Sequence, residues 1–267
     1  VLAAWQAEGA AFAAAFLIAI LATPAGISGA VLLLPFQVSV LGTPSPAVTP
    51  TNLLYNVVAT PGALYRYRKQ GNQAGNALTG LLISGTLPGV IAGSVIRVEL
   101  LPGPRVFDLV VAAVLIPLGI WIGLTRPDLV VSAEPRRTAW AIPAPLLIGL
   151  AVVVGCIGGI YGIGGGSILA PILIATGRPA AEVAPAALGS TFVTSLAGVT
   201  TFVILALGQH THASPEWATG IALGAGGLVG GYTGARLQPR LPELLIRRVM
   251  AVLLLAIAAR YLFIGTA

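Results

Sequence analysis

The apolar positions of this chain fall in long runs separated by short clusters of glycine, proline and charge. The breaks mark about eight segments: 10–42, 47–65, 76–97, 105–125, 142–176, 182–208, 215–236 and 242–264. Most approach the roughly 20 residues a helix needs to cross a hydrocarbon core of about 30 Å. The first and fifth are longer, and an unbroken helix of their length would reach about 50 Å. Each carries glycine near its middle, Pro24-Ala25-Gly26-Ile27-Ser28-Gly29 in one and Gly158-Gly159-Ile160-Tyr161-Gly162-Ile163-Gly164-Gly165-Gly166 in the other. Glycine inside a helix costs about 1 kcal/mol against alanine, so such runs unwind it. Both segments therefore read as broken re-entrant hairpins of two half-helices.

The two halves of the chain also repeat. Gly26-Ile27-Ser28-Gly29 followed by Pro35 aligns with Gly162-Ile163-Gly164-Gly165 followed by Pro171, at an offset of 136. Gly85, Gly89 and Gly93 in the third segment mirror Gly226, Gly230 and Gly234 in the seventh. Leu101-Pro102 matches Leu241-Pro242. Three blocks in one order predict a duplication, with repeats at about 10–125 and 142–265. The longest polar stretch, Thr125 to Arg137, is too short for a soluble domain, so residues 1–267 read as a single transmembrane domain.

Charge sharpens this picture. Only 8% of the residues are charged and 57% are hydrophobic, where a soluble domain carries about a quarter charged residues. A soluble enzyme and a disordered chain are both excluded. The net charge of +6 belongs to short basic clusters between apolar runs, as membrane orientation requires, and not to a nucleic-acid surface. If segments 1 and 5 turn back, one side collects 11 of the 14 basic residues and leaves Arg97, Arg105 and Arg260 opposite. That arrangement gives each half three full crossings and the halves inverted topology. No basic residue precedes the first segment and no small-residue cleavage site follows it, so no secretory signal is expected.

The candidate chemistry lies at the breaks. Half-helix N-termini present free N–H groups and partial positive charge, so they can hold an anion without a buried Lys or Arg. The residues there are small or hydroxylic: Ser28 and Gly29 in one half, Gly164, Gly165, Gly166 and Ser167 in the other. Alternatively, these glycines serve only tight helix crossing. The following segments carry polar stripes, Asn52, Asn56 and Thr60 on one helix face and Thr191, Thr194 and Ser195 on another. Either they bond helices together or they complete an anion cavity, with Asn52, Asn56, Thr191 and Ser195 as donors. Gln37, Tyr55 and Tyr161 are weaker candidates. A single cysteine, Cys156, supports neither a disulfide nor a Cys metal site, and His210 and His212 lack acidic neighbours, so no metal or cofactor is expected. No acid sits convincingly at mid-membrane, which leaves proton coupling unsupported.

Through Gly162-Ile163-Gly164-Gly165-Gly166-Ser167 to Pro171, and the weaker echo Gly26-Ile27-Ser28-Gly29 to Pro35, the sequence resembles the TauE/SafE sulfite exporter family. The resemblance covers nearly the whole chain. It implies a secondary transporter exporting a small sulfur-containing oxyanion, such as sulfite or an organosulfonate, across a bacterial cytoplasmic membrane. The expected partners are that anion and the lipid bilayer, with no nucleic acid. Ser28 stands where the second repeat has Gly164, and Ala30 where it has Gly166, so the second half is expected to bind more tightly. An anion channel, or a non-transporting membrane subunit of a larger complex, stays open as an alternative. An intramembrane enzyme would need an acid, base or nucleophile at depth, for which only Cys156, Tyr161 and the peripheral His210 and His212 offer themselves.

Overall fold

A computed structural model describes residues 4–44, 47–71, 76–100, 143–176, 178–209 and 213–242, with isolated positions in 113–120 and 244–259. Most of segments 105–125 and 242–264 lies outside the described residues, as do Arg105, Asp108, residues 126–137, His210, His212 and Arg260. Among the described residues the longer elements are eight α-helices. They are α1 (Ala4–Ala22), α2 (Ala30–Phe36), α3 (Val48–Lys69), α4 (Asn76–Glu99), α5 (Ala144–Tyr161), α6 (Gly166–Ala175), α7 (Ala180–Gln209) and α8 (Trp217–Leu237). Four stretches are long and apolar enough to cross a membrane: Trp5–Ala25, Ala77–Glu99, Ala144–Tyr161 and Ala180–Gly208. The all-helical chain is a polytopic membrane protein.

The breaks occur at the expected glycines. α1 runs 19 residues and is extended by a tight turn at Thr23–Ala25 before Gly26 reverses the chain at φ 72°. α5 runs 18 residues and stops at Gly162, at φ 79°. Both first arms are thus long enough to cross by themselves, at about 27 to 29 Å. The second arms are short: α2 with its wide last turn Gln37–Leu41, and α6 with 10 residues. Each break thus separates two helical arms of unequal length. At the second, Gly158 and Gly159 stay helical, with the α4 backbone at Val90 and Ser94 and the turn at Gly164–Gly165 packed directly on them. A left-handed φ first becomes necessary at Gly162.

Glycine ladders set the helix directions. A Cβ at Gly85, Gly89 or Gly93 would strike Ala151, Val152 or Cys156 in turn, so α4 and α5 run parallel. Gly226, Gly230 and Gly234 face Phe12, Phe16 and Ile20, so α8 and α1 also run parallel. α3 is parallel to α8, through Leu54 on Gly220 and Val58 on Gly224. α3 and α7 are antiparallel: Leu53 meets Gly198, while Ala63 and Tyr67 cluster with Ala184 and Leu188. Without a hydrophobic drive between helices in lipid, this close backbone approach supplies the dispersion that holds them.

These directions gather most of the described cations. Arg66, Arg68, Lys69, Arg178, Arg236 and Arg240 lie at the end where α3 and α8 finish and α7 begins. The turn at Gly26 lies there too, with Tyr67 donating to the Thr23 carbonyl at 3.1 Å and Gln238 to that of Pro24 at 2.6 Å. The turn at Gly162 lies at the opposite end, against Thr49 at the start of α3. α2 and α6 then lead back from the two turns toward the middle, where they meet.

Candidate functional site

The meeting point is made of serines. The Ser28 amide donates to Ser167 Oγ at 3.2 Å, joining residues 139 apart in sequence. Ser167 Oγ lies 3.2 Å from Thr191 Oγ1 and 3.2 Å from the Ile163 carbonyl, so its single proton serves one or the other. Ser28 Oγ donates to Asn56 Oδ1 and accepts from the Ala30 amide at 3.1 Å. Ser28, Asn56, Ser167 and Thr191 therefore form one buried network across both breaks. Local geometry explains the placement: Asn56 sits near the middle of α3, and Thr191 in the part of antiparallel α7 that passes it.

Two donors, one in this network and one on α7 beside Gly164, have no acceptor. Asn56 Nδ2 and Ser195 Oγ are buried without a hydrogen-bond partner among the described residues, although both residues are 0% exposed. A buried, unsatisfied polar group costs about 1 to 3 kcal/mol, so each marks a place built to meet something else. Among the described residues the amides of Gly164, Gly165 and Gly166 also meet no acceptor.

Asn52 is differently employed. Its Nδ2 donates to the Ala30 carbonyl and its Oδ1 accepts from Gln37 Nε2, both at 2.9 Å. It ties α2 to α3 and stands one step back from the junction. Gly29 sits under the Tyr55 hydroxyl, where a Cβ would collide with it. The two breaks are unlike in their surroundings. At the first, the amides of Ser28 and Ala30 are already taken within the protein. At the second, the glycines are closely packed: a Cβ at Gly165 would lie 2.6 Å from Thr86 Cβ, at Gly166 2.7 Å from Thr191 Oγ1, and at Gly164 2.9 Å from Ser195 Oγ. Thr86 Oγ1 in turn bonds Ser190 Oγ at 2.9 Å.

A small void of about 10 Å³, room for about one water, adjoins the first break. Ser28, Gly29, Tyr55 and Thr60 line its inner part, and Thr23, Ala63 and Gly231 carry it toward the basic end. At the second break Thr86 packs against Gly165, and Leu53 against Gly198 on α7.

Arg97 was missed by sequence reasoning, which set it outside with the peripheral cations. The side chain is fully buried. Its Nε donates to Thr49 Oγ1 at 3.3 Å, and Thr49 Oγ1 donates to the Ile160 carbonyl at 3.3 Å, next to the Gly162 turn. A signal was available: Arg97 extends the Gly85, Gly89, Gly93 ladder by one more turn, on the face that meets α5. Gln238 extends the Gly226, Gly230, Gly234 ladder in the same way and caps Pro24.

Helices that break around a buried polar junction mark this chain as a polytopic membrane protein with a polar interior. The family model for the sulfite exporter TauE/SafE matches residues 11–261, and the chain belongs to that family. It is also similar to the "Probable membrane transporter protein YunE" of Bacillus subtilis (strain 168), 29% identical over 126 residues. That match covers 47% of this chain and 44% of the relative, so the chain spans less than half the length of that curated protein. No solved structure matches.

Proposed function

We propose that this chain is a secondary transporter, not an enzyme, that exports a small sulfur-containing oxyanion such as sulfite or an organosulfonate across a bacterial cytoplasmic membrane. The observation that carries the reading is the junction itself. Two re-entrant segments meet at Ser28 and Ser167, and two buried donors beside them, Asn56 Nδ2 and Ser195 Oγ, are unpartnered. An anion at that level would accept from both donors and from the amides of Gly164–Gly166, in the manner of a helix N-terminus site.

The helix packing supports two inverted repeats. α1 lies parallel on α8 as α5 lies parallel on α4, and α3 and α7, the third helices of each half, are antiparallel. By the positive-inside bias the basic end faces the cytoplasm. The buried Arg97–Thr49–Ile160 contact would hold the far side shut, and export would follow when one repeat rocks against the other. An inside-negative potential drives an anion outward by about 2.3 kcal/mol per charge per 100 mV, so no coupling ion is required.

The test is ligand-dependent stabilisation of purified protein. Sulfite or sulfoacetate should raise the unfolding temperature in a saturable way, as a ligand stabilises what it binds, and Asn56→Leu should weaken that response. Equal shifts with all anions, chloride included, would remove the assignment.

A further inference from the structure

The basic end of α3 and α8 carries a second, separate arrangement of chemistry. Tyr65 and Tyr232 stack with ring centroids 6.4 Å apart and planes at 26°. Lys69 Nζ lies 4.9 Å from the Tyr65 centroid and Arg66 Cζ 5.8 Å from that of Tyr232. Both cations are within the roughly 6 Å over which a ring face attracts them. Tyr65 is 54% exposed, so the ring pair faces outward from the helix bundle, not into the void.

The charges are uncompensated. Arg66 and Lys69 stand three residues apart on one helix face, where like charges repel. Glu182 is the one acid of this end among the described residues, and it pairs with Arg178 at 3.1 Å. Arg66 Nε is buried without an acceptor. Two cations are thus held together by aromatic rings, one donor is unused, and the level is that at which tyrosines mark the water–lipid interface. Anionic headgroups supply the complementary charge there.

We propose that Arg66, Lys69, Tyr65 and Tyr232 form a binding site for the phosphodiester headgroup of an anionic lipid. The Arg66 guanidinium and Lys69 ammonium meet the phosphate oxygens, and the tyrosines hold both cations toward it. The inference stands apart from the export reading, since it uses no residue of the junction.

Native mass spectrometry of the full chain in neutral detergent tests it, with phosphatidylglycerol and phosphatidylcholine as probes. Wild-type protein should retain phosphatidylglycerol preferentially. Each cation near a membrane surface contributes about fivefold, so Arg66→Gln with Lys69→Gln should lower that retention roughly 25-fold. Arg178→Gln with Arg240→Gln removes the same charge from the same end and should lower it less than about threefold. Tyr65→Leu leaves the net charge unchanged and should still lower it severalfold, which keeps the test intact if the double variant folds poorly. Equal retention of the two lipids would overturn the proposal, as would equal losses in the two double variants. Displacement by millimolar inorganic phosphate would overturn the lipid assignment.

Discussion

Asn52 and Asn56 are chemically identical, one helical turn apart and both fully buried, yet the structure gives them opposite duties. Both amide groups of Asn52 are engaged, by Ala30 and Gln37. Replacing Asn52 with Leu leaves Gln37 Nε2 without its acceptor and takes one of two bonds from the Ala30 carbonyl, which still serves its own helix, so about 2 to 4 kcal/mol of stability should go. Asn56→Leu removes one protein hydrogen bond, from Ser28, at about 1 kcal/mol. What it also removes is a free donor. A hydrogen bond to a charged partner is worth about 1.5 to 3 kcal/mol, which is between about tenfold and 150-fold in apparent affinity. Unfolding in detergent and initial rates of sulfite flux in proteoliposomes separate the two. Asn52→Leu should unfold more easily but keep its KM where folded, and Asn56→Leu should fold normally with a raised KM. An unchanged KM in Asn56→Leu would refute the assignment of that donor to the ligand.

Other consequences follow from the packing. Gly165→Ala should lower stability by about 1 to 3 kcal/mol, since the new Cβ would lie 2.6 Å from Thr86 Cβ and 3.1 Å from Gly155 Cα; Thr86→Gly in the same chain should restore part of it in a thermal melt. A bulky residue at Gly165 therefore tests packing as well as transport, against the simpler expectation that only transport would suffer. Gly93→Ala places a Cβ 2.9 Å from the Cys156 carbonyl carbon, while Gly42→Ala, at φ 68° with open space around it, meets only backbone strain of about 1 to 2 kcal/mol. The first should therefore destabilise more than the second in the same melt. Arg97→Gln keeps a hydrogen-bond donor beside Thr49 but removes the buried charge, copying Gln238 at the other ladder. It should speed thiol labelling of a Val48→Cys probe from the far side severalfold, and unchanged labelling would remove Arg97 from the closure of that side.

Much of this was legible in the sequence, for local reasons. Gly26 and Gly162 reverse the chain because only a residue without Cβ takes those dihedral angles readily, and i, i+4 glycines announce helix faces in close approach. The polar stripes of α3 and α7 are legible in the same way, since an amide in an apolar run must find partners. What was not legible depends on neighbours far along the chain. That the Ser28 amide is already bonded depends on Ser167, and that Asn52 is fully engaged while Asn56 Nδ2 has no partner depends on where α2 lies. Arg97 looked peripheral because it stands near the end of its helix, and only the start of α3 folded over it makes it buried.

The most direct test of the account is uptake of radiolabelled sulfite into proteoliposomes under an imposed inside-positive potential. Saturable accumulation is expected, approaching about fiftyfold for one negative charge at 100 mV, with the half-saturating concentration raised in Asn56→Leu. Flux no greater than in protein-free vesicles, or accumulation indifferent to the potential, would contradict it.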